Sequence, residues 1–377
     1  MQRVSTHALR SGMKVGRSVY TNEGVILIKA GMHITEKNIN RLKILDIPSI
    51  YIEDGFVDDI EIKEVISQQT RADAIKRVRD LFNKTEVHSK AGKITVILNE
   101  DKLTHIVETL LSEVLNSKDI MISLTDIRAF DDYTFAHSVN VCVLALITGK
   151  TLGLSKKSLT QLGIGAVLHD LGKVFIPKEI LNKPDTLSVN EFEVVKKHPE
   201  DGFKLVKAKG MINDLSASVI FEHHERYNGS GYPRGLKKKQ IHLYGRIVGV
   251  VDTYDALTAD RVYRNAYLPY QAYEMLAGSG DNQFDYEVVK AFLSNIAIYP
   301  IGTFVELNTG QVGAVVDVIK GLTHRPKIRV FFEESARPVG HPYEVDLTSE
   351  LSLMIDKVLK FEDLEKLSTT ARRLQFS

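Results

Sequence analysis

The chain has almost no cysteine. Cys142 is alone, so no intrachain disulfide can form, and a reducing compartment is its natural home. It also lacks a charge excess. At a net charge of +1, no global field draws it to nucleic acid or to an anionic membrane, and any phosphate binding has to come from local groups. No apolar run approaches the roughly 20 residues of a membrane helix, and the first stretch lacks the charged-then-apolar order of a secretory signal. These absences lead us to expect a cytoplasmic protein with neither a membrane nor a nucleic-acid partner. There is no internal repeat and no low-complexity segment. Beyond these absences the composition is that of a globular protein, 44% hydrophobic and 26% charged over 377 residues, enough for two or three domains.

The pattern along the chain predicts a mainly α protein with a small unit at each end. Residues 1–60 read as a small α+β domain. Val25-Ile26-Leu27-Ile28 forms a buried strand after the turn Asn22-Glu23-Gly24, Thr35 caps a short helix with Ile39, Leu42 and Leu45 on one face, and residues 49–53 form another strand. Asp54-Gly55 and Asp58-Asp59 mark the boundary. Residues 61–125 read as a charged helical connector. Leu103, Ile106, Val107, Leu110, Leu111, Val114 and Leu115 repeat at three and four residues, and Ile75, Val78 and Phe82 form an earlier stripe. Such helices suit a dimer seam or a link from a sensor; the plainer alternative is packing onto their own domain. Residues 126–297 read as almost wholly helical. In residues 298–377, strands are expected over 303–307, 311–319 and 327–332, the first two joined by the hairpin signal Asn308-Thr309-Gly310. A charged tail with a weak helical pattern follows from 353.

The central helical stretch holds the chemistry. His137, the pair His169-Asp170, the doublet His223-His224 and Asp252 each lie along or at the end of an apolar run, and His198 falls in the same stretch. Ionisable groups entering such runs are costly unless something compensates their desolvation, and a dication does so. Imidazole and carboxylate together suit iron or manganese better than calcium or magnesium. Adjacent helical residues point about 100° apart, so His223 and His224 fit one ion poorly and a two-ion site better. In two-metal sites the ions lie roughly 3.5–4 Å apart, bridged by a carboxylate, with a hydroxide aimed at phosphorus. The alternative is a network of buried His–Asp hydrogen bonds. Lys173, on the turn after the pair, suits a phosphate oxygen or a leaving group, or merely a helix-end cation.

After His224-Glu225 runs Arg226-Tyr227-Asn228-Gly229-Ser230-Gly231-Tyr232-Pro233, whose glycines let backbone N–H groups approach a phosphate, with Tyr232 free to stack or donate. Downstream of Asp252, Arg261 and Arg264 lie one turn apart and could clamp a phosphodiester, or pair with Asp255 or Asp260 at the surface. Cys142, within an apolar run, reads as core.

These residues resemble the HD-GYP phosphodiesterase family. The motifs are His169-Asp170-Leu171-Gly172-Lys173, Gly231-Tyr232-Pro233, Tyr133-Thr134 ahead of His137-Ser138, His198-Pro199 followed by Gly202, His223-His224-Glu225, and the phrase from Asp252 through Arg264. The resemblance spans residues 126–297. It implies an all-helical HD-superfamily catalytic domain that hydrolyses cyclic di-GMP to pGpG or GMP by a dinuclear metal-hydroxide mechanism. As metal ligands it implies His137, His169, Asp170, His198, His223, His224 and Asp252, with Asp170 bridging two divalent transition metals, iron or manganese. Lys173 is implied as catalytic alongside Asp170, and Gly231, Tyr232, Arg261 and Arg264 as nucleotide contacts. Some members hold a third metal through a glutamate one turn before the first histidine. Tyr133 stands there, so two metals are expected. Val262 replaces a common proline, with both arginines kept. The N-terminal unit resembles a regulatory domain, so a regulatory partner and a homodimer are open expectations. The rival enzyme hydrolyses 3′,3′-cyclic GMP-AMP or another nucleotide; the rival of another class is a nucleotide-binding adaptor without turnover.

Overall fold

The computed structural model describes residues 2–367, apart from 21–25, 46, 48, 54, 58, 61–63, 84–98, 118–132, 182, 184, 209, 260–266, 335, 336, 362 and 365. The turn at Asn22, Glu23 and Gly24, the boundary residues Asp54 and Asp58, and both Arg261 and Arg264 lie outside the described residues.

The N-terminal unit contains β1 (Gln2–Ser5), β2 (Lys14–Val15), β3 (Val19–Tyr20), β4 (Ile26–Ile28), α1 (Glu36–Ile44) and β5 (Ser49–Glu53). An antiparallel sheet runs β1-β5-β2, and β3 pairs with β4. Thr35 caps α1 as expected. Its side chain accepts from the Asn38 N–H while Asn38 answers at the Thr35 backbone, and Ile39 and Leu42 turn inward onto Val4, Ile50 and Ile52.

The helical body starts with α2 (Gln68–Asn83) and α3 (Glu100–Asn116) and continues through α4 (Tyr133–Thr151), α5 (Lys156–Leu168), α6 (Lys178–Leu181), α7 (Val189–Val195), α8 (His198–Lys207), α9 (Asp214–Glu222), α10 (Leu243–Thr258), α11 (Pro269–Ala277) and α12 (Tyr286–Leu293). Val78 of α2 and Leu103 and Leu110 of α3 share one core with Leu144, Val167, Ile220, Val250 and Phe292. The connector helices therefore pack onto the body. Leu115 leaves the predicted stripe and is exposed at the end of α3. Cys142 is fully buried, and burial pushes its thiol up to about 12, so it is an inert core residue. Among the described residues no helix is long and apolar enough to cross a membrane.

The C-terminal sheet runs β10-β6-β7-β8-β9, all neighbours antiparallel. Its strands are β6 (Phe304–Leu307), β7 (Val312–Asp317), β8 (Lys327–Glu333), β9 (Arg337–Asp346) and β10 (Ile355–Val358). The first three were expected; β9 and β10 were not, and β10 falls where a helical tail was read. Both are edge strands. The exposed β9, with Pro338, Gly340 and Pro342, carries no buried alternation, and β10 pairs through an irregular register. The two small units touch each other. Phe56 stands edge-on to Phe304 and Phe331, and Asp59 pairs with Arg329 at 2.8 Å.

Candidate metal centre

The seven expected ligands converge. They come from the ends of three helices and the interiors of two others. His137 lies in the second turn of α4, and His169 ends α5, with Asp170 beginning the 3-10 turn Leu171–Phe175. His198 opens α8, His223 ends α9 with His224 next, and Asp252 lies within α10. Gly172 brings α8 to this junction. A Cβ there would fall 1.9 Å from the His198 carbonyl oxygen and 2.8 Å from the Gly202 nitrogen, so only glycine lets the turn rest on the first turn of α8.

The ligand atoms form two groups, one of Asp170, His198, His223 and His224, the other of His137, His169 and Asp252. The Asp170 carboxylate stands between them. Its Oδ1 lies 3.4 Å from His198 Nε2 and 3.9 Å from His223 Nε2; its Oδ2 lies 3.3 Å from His169 Nε2 and 3.7 Å from His137 Nε2. Asp252 Oδ1 is 3.1 Å from His137 Nε2. Lys173 Nζ donates to Asp170 Oδ2 at 2.6 Å.

The imidazole protons decide what this arrangement can hold. His169 Nδ1 meets the Ala166 carbonyl at 2.8 Å, His198 Nδ1 the Val195 carbonyl at 2.7 Å, and His223 Nδ1 the Ile220 carbonyl at 3.0 Å. A carbonyl only accepts, so each Nδ1 carries the proton and each Nε2 is a bare lone pair facing inward. His198 and His223 bring two such lone pairs within 3.3 Å of each other. Among the described residues, the fully buried Nε2 of His169 has no hydrogen-bond partner. Lone pairs crowded together in a buried site repel unless a cation sits among them, so the donor set fits divalent metal and fits a simple hydrogen-bond network badly.

Burial keeps the His198, His223 and His224 imidazoles neutral. It pushes His198 down to about 4 and His224 to about 3, and His223 lies well below its usual range, with neighbouring imidazoles adding to the effect. Burial would raise the Asp170 carboxyl, but the Lys173 ammonium beside it holds it low; burial would raise the Asp252 carboxyl too, and it likewise stays low. Neutral imidazoles beside ionised carboxylates need lose no proton to accept a cation. An unfolded histidine takes up a proton near 6.5, whereas native His198 does so only near 4. The metal-free protein is therefore predicted to lose stability as pH falls from about 6.5 to about 4 and to be level above 7. Thermal melting of chelator-treated protein from pH 4 to 8 checks this; a melting temperature constant across that window would contradict it.

The glycine loop packs onto the site through its own backbone. A Cβ on Gly231 would lie 2.3 Å from the Arg226 nitrogen and 2.5 Å from the His224 carbonyl oxygen. The Tyr232 N–H donates to that carbonyl at 3.2 Å, and the Tyr232 ring lies 4.8 Å from the His224 ring. Burial raises the Tyr232 phenol, which stays protonated. Buried Glu225 accepts from the Arg234 and Leu236 N–H groups at 2.8 and 2.9 Å, and Glu222 pairs with Arg234 and accepts from the His242 N–H. Phe192 of α7 lies edge-on to Tyr232 at the rim.

One expectation needs correction. Helical geometry fits His223 and His224 poorly to one ion, yet both fall in one group. The helix stops at Glu222, so the 100° rule does not reach His224, and the two rings lie 4.1 Å apart. Two residues were missed. Asp255, weighed only as a surface partner for arginine, is buried with Oδ2 2.7 Å from His137 Nδ1. Its spacing of three from Asp252, inside an apolar helix, was the available signal. The second is Glu225 of the His223-His224-Glu225 motif, which ties down the glycine loop. Of Tyr133 the structure describes the backbone alone, as the first residue of α4.

A His-Asp pair at one helix end, answered by histidines from the helices around it, defines the HD class of helical domains. Residues 110–288 of this chain match the HD domain model. Residues 304–367 match a KOW domain associated with HD domains. Among curated relatives, a cyclic di-GMP phosphodiesterase of Pseudomonas aeruginosa is 34% identical over 260 residues, 69% of this chain and 62% of that protein. A cyclic di-GMP phosphodiesterase of Thermotoga maritima is 37% identical over 187 residues, 49% of this chain and 50% of that one. A 3′3′-cGAMP-specific phosphodiesterase of Vibrio cholerae is 32% identical over 181 residues, 46% of this chain and 41% of that one. The chain thus spans about half to three fifths of the first two relatives' length.

Proposed function

We propose that the chain is a cytoplasmic HD-GYP phosphodiesterase that hydrolyses cyclic di-GMP to pGpG or GMP with two divalent transition metals, iron or manganese. The observation that carries this reading is the Asp170 carboxylate, which turns one oxygen to each ligand group. Residues 126–297 are the catalytic unit, 61–125 its helical connector, 1–60 a regulatory domain and 298–377 a β-rich appendage.

His198, His223, His224 and Asp170 would hold one cation, and His137, His169, Asp252 and the same Asp170 the other. Bound there, the pair would supply an activated water and neutralise phosphate charge. The remaining work falls to side chains. Lys173, about a third exposed beside Asp170, reaches a non-bridging phosphate oxygen or the leaving group. Tyr232, protonated and packed on His224, donates to phosphate or faces a base. Gly231 lets the backbone come close enough for that contact. Arg261 and Arg264 hold the phosphodiester.

The test is a substrate panel on purified protein loaded anaerobically with iron or manganese. Cyclic di-GMP is expected to give a kcat/KM at least about tenfold above that for 3′,3′-cyclic GMP-AMP. The reverse order would reassign the substrate. Binding without product in both metal forms would make the chain an adaptor.

A further inference from the structure

The histidines are anchored in two ways. His169, His198 and His223 give their Nδ1 protons to carbonyls three residues back, in the last turn of α5, α7 and α9. Last-turn carbonyls lack a full set of helical partners, so each ring is oriented by its own local backbone. His137 cannot use this device. It lies inside α4, where the carbonyls are spent on the helix. Its Nδ1 is met instead by Asp255 Oδ2 at 2.7 Å, from α10, and Asn140 Nδ2 lies 3.5 Å from the other carboxylate oxygen. Asp255 is 2% exposed.

We propose that Asp255 is a positioning residue dedicated to one of the two cation subsites, that of His137, His169 and Asp252. The Asp255 side chain behind His137 fixes the tautomer with the proton on Nδ1, aims Nε2 at Asp252, and makes that imidazole a stronger donor than one backed by a carbonyl. The same α10 presents Asp252 and, one turn on, Asp255. Ligand and orienting group are therefore carried on one rigid element, and the subsite depends on how α10 sits against α4. In the other subsite, with three imidazoles and one oxygen of Asp170, His198 and His223 are backed by local backbone carbonyls. Loss of Asp255 should weaken one cation and spare the other.

This rests on the two-cation reading, and the experiment separates the two. Manganese is titrated into metal-free full-length protein by calorimetry, with metal counted per chain after dialysis. Wild type, Asp255→Ala and Asp255→Asn are compared, and ¹⁵N shifts of the histidine rings are recorded. The expectation is two cations for wild type. Asp255→Ala should keep one at wild-type affinity and bind the other about 10–100-fold more weakly. Asp255→Asn, which keeps an acceptor but no charge, should fall between, with the His137 Nδ1 proton retained. Two unchanged cations in Asp255→Ala would overturn the proposal and leave the metal reading standing. Equal loss of both cations, or a collapsed fold in both variants, would reduce Asp255 to a structural residue and overturn it as well. A wild type that binds no divalent cation would take down both readings.

Discussion

Replacing Asp170 by alanine is expected to strip both cations from the protein and to cut phosphodiester hydrolysis by at least about 10³-fold. One carboxylate oxygen faces His198 and His223, the other His169 and His137, so a single truncation removes an oxygen from each subsite. It also leaves Lys173 without its 2.6 Å partner at the mouth of the site. Metal-ion stabilisation of a phosphoryl transition state amounts to several kcal/mol, and each 1.36 kcal/mol is tenfold in rate, which sets the size. Asp170→Asn keeps the volume and one oxygen, and should retain the fold with most of the loss. Elemental analysis beside a turnover assay checks both variants. Full activity in folded Asp170→Ala protein would remove Asp170 from the mechanism.

Replacing Lys173 by alanine is expected to lower kcat by about 10²–10³-fold while the cation count stays at two. Lys173 stands on the turn that Gly172 presses against α8, about a third exposed, so its ammonium is fixed beside Asp170 yet open to a ligand. Losing one positioned donor to a developing oxyanion typically costs that factor. Its charge also helps hold the Asp170 carboxyl low, so the variant tests both roles. Lys173→Arg should recover part of the rate. A change in metal content with kcat unaltered would make Lys173 a structural counter-ion instead.

The buried, periodic parts of this chain were the legible ones. Thr35 ahead of Ile39 and Leu42 announced α1, the Leu103-to-Val114 stripe announced α3, and the stretch from Gln311 announced a strand, β7. Most of the seven candidate ligands stood out because a polar residue in an apolar run has few explanations, and all seven meet at one junction. What escaped was set by tertiary partners. The edge strands β9 and β10 expose most of their side chains, so their pairing leaves no alternation to read. The pairing of His223 with His224 depends on where α9 ends, which propensity locates only to within a residue or two. Asp255 looked like a surface acid because its partner, His137, lies 118 residues away. Glu225 gains a role only once the loop folds back on it.

The central claim is a pair of cations flanking one aspartate, and anomalous scattering from a crystal grown anaerobically with manganese tests it most directly. The expected map holds two peaks, roughly 3.5–4 Å apart, one on each side of the Asp170 carboxylate, with His198, His223 and His224 at one and His137, His169 and Asp252 at the other. A single peak, or peaks remote from Asp170, would contradict it.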